Sequence, residues 1–243
     1  MGYVKKRVRK TKASDPDEFV SIYQRTLDWA RDNLNVVLYS GVAFLLVILA
    51  VFGLMWSRAN RDRAAGEALD TAVATYQSRG YGEGTSDSQA VKDGLKQSLK
   101  SFRAVSSQYP RTRQGNSATL YAANILFRMT SFSEAAAVLE DLISHEPEFS
   151  RRLQVSYLLG RAYEGGKEYD KAISVYGRLL ENSGVEMRPV LMMDRARCFD
   201  LKGDRKQAAD TYRSVVKDFA DSVFSLRAKS QLAILGESAE ESP

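Results

Sequence analysis

Four patterns of apolar and polar positions follow one another along this 243-residue chain. After Asp15-Pro16, a cap with proline at the first helical position, Phe19, Ile22, Tyr23, Thr26, Leu27, Ala30 and Leu34 recur at steps of three and four. That spacing predicts a helix with a single apolar stripe. From Val36 to Trp56 the polar face disappears: 21 residues run without an ionisable group other than the phenol of Tyr39. From about Arg61 to Gln77, Ala64, Ala68, Ala72 and Tyr76 mark a third helical stripe. Beyond Gly115 the pattern becomes periodic on a longer scale.

That longer period is visible residue by residue. Leu159-Gly160, Tyr163, Ala172, Tyr176 and Leu179 are echoed 36 residues on from Gly160 by Ala196, Phe199, Ala208, Tyr212 and Val215. Upstream, Ala123, Leu126, Ala135, Leu139, Leu142 and Pro147 hold the same slots at an offset of 37. Small residues such as Gly160 and Ala172 let two antiparallel helices approach, and the rings of Tyr163 and Tyr176 are expected to fill the space between units. Such a hairpin cannot bury its apolar face alone, so units must stack. Three units, near 116–149, 153–186 and 189–222, resemble tetratricopeptide repeats. A degenerate unit precedes them, with Phe102, Val105 and Pro110 on its second helix and the Arg61–Gln77 run as its first. Between these lies a glycine- and serine-rich loop at 80–90, which does not fit G-x-G-x-x-G and has no strand before it, so a phosphate cradle is set aside. Asp221-Ser222 caps a last helix from Val223 to Leu235, Gly236 stops it, and residues 236–243 read as a disordered tail. The expected fold is all-α: a transmembrane helix, then a tetratricopeptide-repeat α-solenoid. Its segments are a leader at 1–35, the span at 36–56, a connector with the degenerate repeat at 57–115, and the array with its capping helix at 116–235.

At about 1.5 Å per residue the 36–56 run covers roughly 30 Å, the hydrocarbon thickness of a bilayer. Only a helix satisfies its own backbone there. A cleaved signal peptide would have a shorter apolar core and a small residue where Arg58 stands, so the segment reads as an uncleaved anchor. The first 35 residues hold eight basic and five acidic groups, six of the basic ones between Lys5 and Lys12. Positive charge is retained on the cytoplasmic side, although Arg58, Arg61 and Arg63 crowd the other flank. The expected topology is N-terminus cytoplasmic and repeat domain periplasmic, in a bacterial inner membrane. The amphipathic helix before the span suits the lipid interface or a membrane partner's cytoplasmic face.

The chain carries 35 basic and 30 acidic residues, net +5, with one cysteine and one histidine. Cys198 alone excludes an internal disulfide and cysteine-based zinc sites; His145 alone excludes H-E-x-x-H. Cys198 is expected to be a small buried hydrophobe, and His145 a solvated residue of an inter-unit turn. No catalytic residues, metal or cofactor are expected, and no small-molecule substrate. The Lys5–Lys12 cluster is chemistry for anionic lipid, nucleic acid or ribosomal RNA; the simpler reading is a topology signal, with nucleic acid disfavoured.

Binding is the better prospect. Groove-facing slots on the first helix of each unit are Leu120, Asn124, Phe127 and Arg128; then Tyr157, Arg161 and Glu164; then Met193, Arg197 and Asp200. Arg161 and Arg197 share one slot and are expected to form a basic row, beside aromatic and methionine side chains suited to an extended chain with acidic groups. The alternative is that these are ordinary solvated residues. The slot where a carboxylate-clamp lysine would sit holds Leu120, Tyr157 and Met193, so clamp-type capture of a C-terminus is not expected.

The sequence F-V-S-I-Y-Q-R-T-L-D-W before the span, W-S-R-A-N-R-D-R-A-A after it, and the repeats together resemble the ancillary SecYEG translocon subunit family (YfgM-like), over roughly Asp17 to Leu235. The resemblance implies a short cytoplasmic helix, one span and an exported repeat domain that associates with the Sec translocon, periplasmic folding factors and emerging clients. The expected function is a non-enzymatic, membrane-anchored interaction scaffold. An envelope-assembly or cell-division coordinator of the same build is the alternative. The polybasic leader and the glycine-rich insertion depart from the family's pattern.

Overall fold

A computed structural model describes residues 16–80, 89–145, 151–182 and 184–238, with side chains from residue 24 onwards except at 79 and 80. The basic cluster at Lys5–Lys12, the core of the glycine–serine loop (81–88), Pro147 and the last five residues lie outside that range. Every described element is a helix: α1 (Pro16–Asp32), α2 (Leu34–Gly80), α3 (Gln89–Gln108), α4 (Arg113–Arg128), α5 (Phe132–His145), α6 (Arg152–Gly165), α7 (Tyr169–Asn182), α8 (Arg188–Lys202), α9 (Arg205–Asp218) and α10 (Val223–Leu235). The chain divides into two compact units, Met1–Ala59 and Asn60–Pro243.

In the first unit, α1 and α2 meet at Asn33, whose side-chain amide donates to the Trp29 carbonyl at 2.9 Å while its own carbonyl accepts from the Val36 and Val37 amides. One local residue thus both closes α1 and opens α2. From Val36 to Trp56 the large apolar side chains, among them Phe44, Leu46, Phe52 and Trp56, are all exposed. This is one helix long and apolar enough to cross a membrane.

In the second unit, the remainder of α2 packs beside α3: the Tyr76 ring meets Phe102 edge-on at 6.1 Å. The buried stripe of α2 runs through Ala65, Ala72 and Tyr76, with Ala68 and Leu69 half-covered. It therefore starts at Ala65, one position later than the expected Ala64, which is only half-buried. Three hairpins follow, α4–α5, α6–α7 and α8–α9, and then α10. A continuous core links α2 to α8 through Phe102, Ile125, Leu139, Val155, Tyr176 and Leu191, and a second one joins α8, α9 and α10 through Ala196, Tyr212 and Leu232. The contribution is of order 1.5–3 kcal/mol for each fully buried large side chain.

The small slots work as close contacts. A Cβ added to Gly160 would lie 2.6 Å from the Tyr176 ring. Tyr176 thus fills the space inside its own hairpin, and through Glu164 it also joins the junction with the next one. Tyr163 does reach across, donating its hydroxyl to Glu140 of the preceding hairpin.

The first helix of each hairpin ends in one way. Thr130, Lys167 and Gly203 all have positive φ (56°, 62° and 93°). In each case the amide of that residue bonds the carbonyl three back, and the next amide bonds the carbonyl four before the left-handed residue: Phe127 and Leu126, Glu164 and Tyr163, Asp200 and Phe199. This satisfies the carbonyls that a helix end leaves open. Helix α10 ends identically, at Gly236 (φ 77°), with bonds to Ala233 and Leu232. By its ending, α10 stands in the series of first helices.

Candidate partner-binding groove

The residues expected in the groove lie on α4, α6 and α8, and the left-handed turn fixes their register. Asn124, Arg161 and Arg197 each stand six residues before it, and all three are exposed. Leu120, Tyr157 and Met193 stand ten before it and are more covered. Phe127 is half-buried, Arg128 exposed, and Glu164 and Asp200 half-buried.

The structure separates the two arginines that the sequence paired. Arg161 lies over the Phe127 ring, 5.8 Å from its centroid, and Phe127 meets Phe132 edge-on at 5.8 Å. Phe132 in turn lies where a Cβ on Gly165 would be, 2.6 Å away. Arg197 instead forms a forked pair with Glu164, Nε–Oε1 2.5 Å and Nη2–Oε2 2.9 Å, and a third bond to Asp194 Oδ1 at 2.7 Å. Asp194, only 7% exposed, also accepts from the Tyr157 hydroxyl at 2.9 Å, and Glu164 accepts from Tyr176 at 3.2 Å. Arg197 is therefore not a free member of a basic row. Its charge is satisfied by two carboxylates within the array, and the fork geometry that suits guanidinium to carboxylate explains why.

The electrostatics follow. Its hydrogen bond to Glu164 is the largest influence holding the Arg197 pKa above its usual value, against the burial that lowers it. Burial first, and the charge of Asp194 next, pushes the Tyr157 phenol up to about 12. Tyr176 is raised further, again mainly by burial and then by Glu164. Tyr212 rises to about 12 by burial and Asp200. Cys198 is fully buried between Arg197 and Phe199, and burial lifts its thiol to about 12, which disfavours the nucleophilic thiolate. His145 is on the last turn of α5, not in the following turn, with Nδ1 3.0 Å from the Asp141 carbonyl and 3.1 Å from its carboxylate. Among the described residues no group of three or more His, Cys, Asp or Glu is placed to hold a metal ion.

The same face carries residues that the slot mapping missed. A depression of about 330 Å³ opens between α8 and α10, walled by Val190, Met193, Phe224 and Arg227 over Tyr212, with Asp194 and Arg197 at its side. Counting back from Gly236 as from Gly203 places Leu226 in the slot of Met193, Ser230 in that of Arg197, and Ile234 in that of Leu201. The spacing from Gly203 to Gly236 is 33 residues, not 36 or 37, which is why a fixed period overlooks it.

These slots and turns define a helical-repeat protein. Sequence profiles of the tetratricopeptide repeat match residues 120–186 and 191–222. Repeats of this kind mark a protein-interaction scaffold. Similar solved structures include nearly identical TPR-like repeats from Podosopora anserina, 15% identical with a TM-score of 0.54, covering 72% of this chain and 86% of that one. A tetratricopeptide repeat protein from Parabacteroides merdae is 13% identical at the same TM-score, over 72% of this chain and 60% of the other. At these identities the likeness is one of fold. No curated protein sequence matches the chain.

Proposed function

We propose that this protein is a non-enzymatic scaffold anchored in a bacterial inner membrane by residues 36–56, with its N-terminus in the cytoplasm and its repeats in the periplasm. There the first-helix face, with Asn124, Phe127, Arg128, Tyr157, Arg161, Glu164, Met193, Arg197 and Asp200, captures protein partners. Its place in the cell is that of an ancillary subunit of the Sec translocon that helps hand over emerging clients, contacting channel components and periplasmic folding factors. The basic leader meets anionic lipid.

The observation that carries capture is the contrast between the two arginines: Arg197 is held by Glu164 and Asp194, whereas Arg161 lies over an aromatic ring and has no ion-pair partner among the described residues. A guanidinium spread on a ring and open to solvent is a ready contact for an incoming carboxylate. The test is copurification of the intact anchored protein, with Arg161→Glu as the variant. Sec channel components should be recovered with the wild type and depleted at least several-fold with the variant. Recovery of division or outer-membrane assembly proteins instead would move the scaffold to that machinery. Digestion of the repeats by protease in spheroplasts with intact inner membranes is the expected topology result; protection until those membranes are opened would reverse it.

A further inference from the structure

The last helix of the array exposes a large apolar side chain, Leu226, in the slot where Leu120, Tyr157 and Met193 of the other first helices are covered. Val223, Leu226 and Ile234 are 55%, 68% and 73% exposed, with the exposed small residues Ser230 and Ala233 between them. Terminal helices of a repeat array ordinarily carry a polar outer surface. The other end of this unit obeys that rule: α2 exposes Asp62, Arg63, Glu67, Asp70, Thr71 and Gln77. The exposed stripe of α10 occupies the groove slots, because Leu226, Ser230 and Ile234 stand ten, six and two residues before Gly236, as Tyr157, Arg161 and Gly165 stand before Lys167. The groove thus runs on into an apolar end.

Charge decides what such an end takes. Helix α10 carries Arg227 and Lys229 and no acidic residue. Arg227 has the Phe224 ring 6.0 Å away, and among the described residues neither it nor Arg161 has an ion-pair partner. Of the face's carboxylates, Glu164 and Asp194 are already engaged by Arg197, and Asp200 is half-buried. A second copy of this helix would set four cations around one apolar strip with no acid on either helix to balance them, which disfavours self-pairing.

We infer that this face binds an acidic–apolar polypeptide segment, with two or three large aliphatic or aromatic side chains docked on Val223, Leu226, Ile234 and the α8–α10 depression, and adjacent carboxylates reaching Arg227 and Arg161. The inference rests on the proposed capture by the first-helix face and adds the chemistry of what is captured. Met193 beside the depression supplies an adaptable wall for side chains of differing shape.

The test uses the full chain in zwitterionic nanodiscs and three labelled 14-residue peptides followed by fluorescence anisotropy. One has a Leu/Phe cluster followed by Glu and Asp, one replaces the acids by Lys, and one replaces the apolar cluster by Ser. The first should bind about tenfold or more tightly than either other, the scale expected from burying one to two large apolar groups or pairing one cation. Leu226→Ser with Ile234→Ser, both at exposed positions, should remove that advantage over the Ser peptide and leave thermal unfolding unchanged. Arg161→Gln should weaken only the acidic peptides. Unchanged binding by the double variant overturns the inference, and if Arg161→Gln still weakens acidic peptides, the wider capture reading stands. Absence of binding by all three peptides overturns both. A concentration-dependent dimer that the double variant abolishes, with peptide binding intact, assigns the stripe to a second copy. Peptide-independent binding to anionic vesicles that is lost in the double variant assigns it to lipid.

Discussion

The two junctions between neighbouring repeats use the same slots and different chemistry. Between the first and second hairpins, beside the Tyr163–Glu140 hydrogen bond, the contact is aromatic: Phe132 fills the space over Gly165, Phe127 meets it edge-on, and Arg161 spreads over Phe127. Between the second and third it is ionic, with Tyr157, Asp194, Arg197, Glu164 and Tyr176 in one connected set. Apolar stacking is tolerant of partner and drives assembly by area. A buried carboxylate with fixed donors is tolerant of nothing, because a misplaced neighbour leaves it unpaired. One junction therefore supplies bulk cohesion and the other fixes which helix faces which.

The sharpest way to break the aromatic junction is Gly165→Leu, which drives a branched side chain into the Phe132 ring. It should cost about 1–3 kcal/mol, at the upper end because the ring is held by Phe127. Urea unfolding should show this loss equally at low and high salt. Next comes Asp194→Ala, which strips Tyr157 of its acceptor and Arg197 of one of its two carboxylates. A loss of about 2 kcal/mol is expected, less than for a wholly buried pair because Arg197 keeps Glu164 and is half-exposed. Here the expected signature is a smaller difference between wild type and variant as salt is raised. Equal salt response of the two variants would erase the distinction between the junctions. The smallest effect lies in the turn between them: Lys167→Gly, at a φ of 62°, should stabilise by up to about 1 kcal/mol. A fall in melting temperature there would mean that the Lys167 side chain contributes more than its backbone strain costs.

Much of this architecture was written in the chain as period and residue size. Gly160, Ala172 and Ala196 are small because another helix lies against them, and that reading needs no coordinates. The paired-helix class followed from three such sets in register. What stayed hidden were the long-range partners of long side chains. Nothing in the order of residues distinguishes Arg161 from Arg197 until Glu164 and Asp194 are brought together from two helices. Asp194 itself sits one position off the mapped groove slots, so its burial was invisible to the pattern. The groove's continuation onto α10 was lost for a different reason: a connection one residue shorter and a helix of 13 residues instead of 15 shift the period, and only the left-handed turn at Gly236 restores the alignment.

The seclusion of Cys198 has a practical consequence. The chain's one sulfhydryl is fully buried and held in its protonated form, so the native molecule offers thiol-directed reagents no background. A cysteine introduced at Ser230 would be the sole address for a spin label or dye. Bound and empty states of the array could then be read spectroscopically at one chosen point.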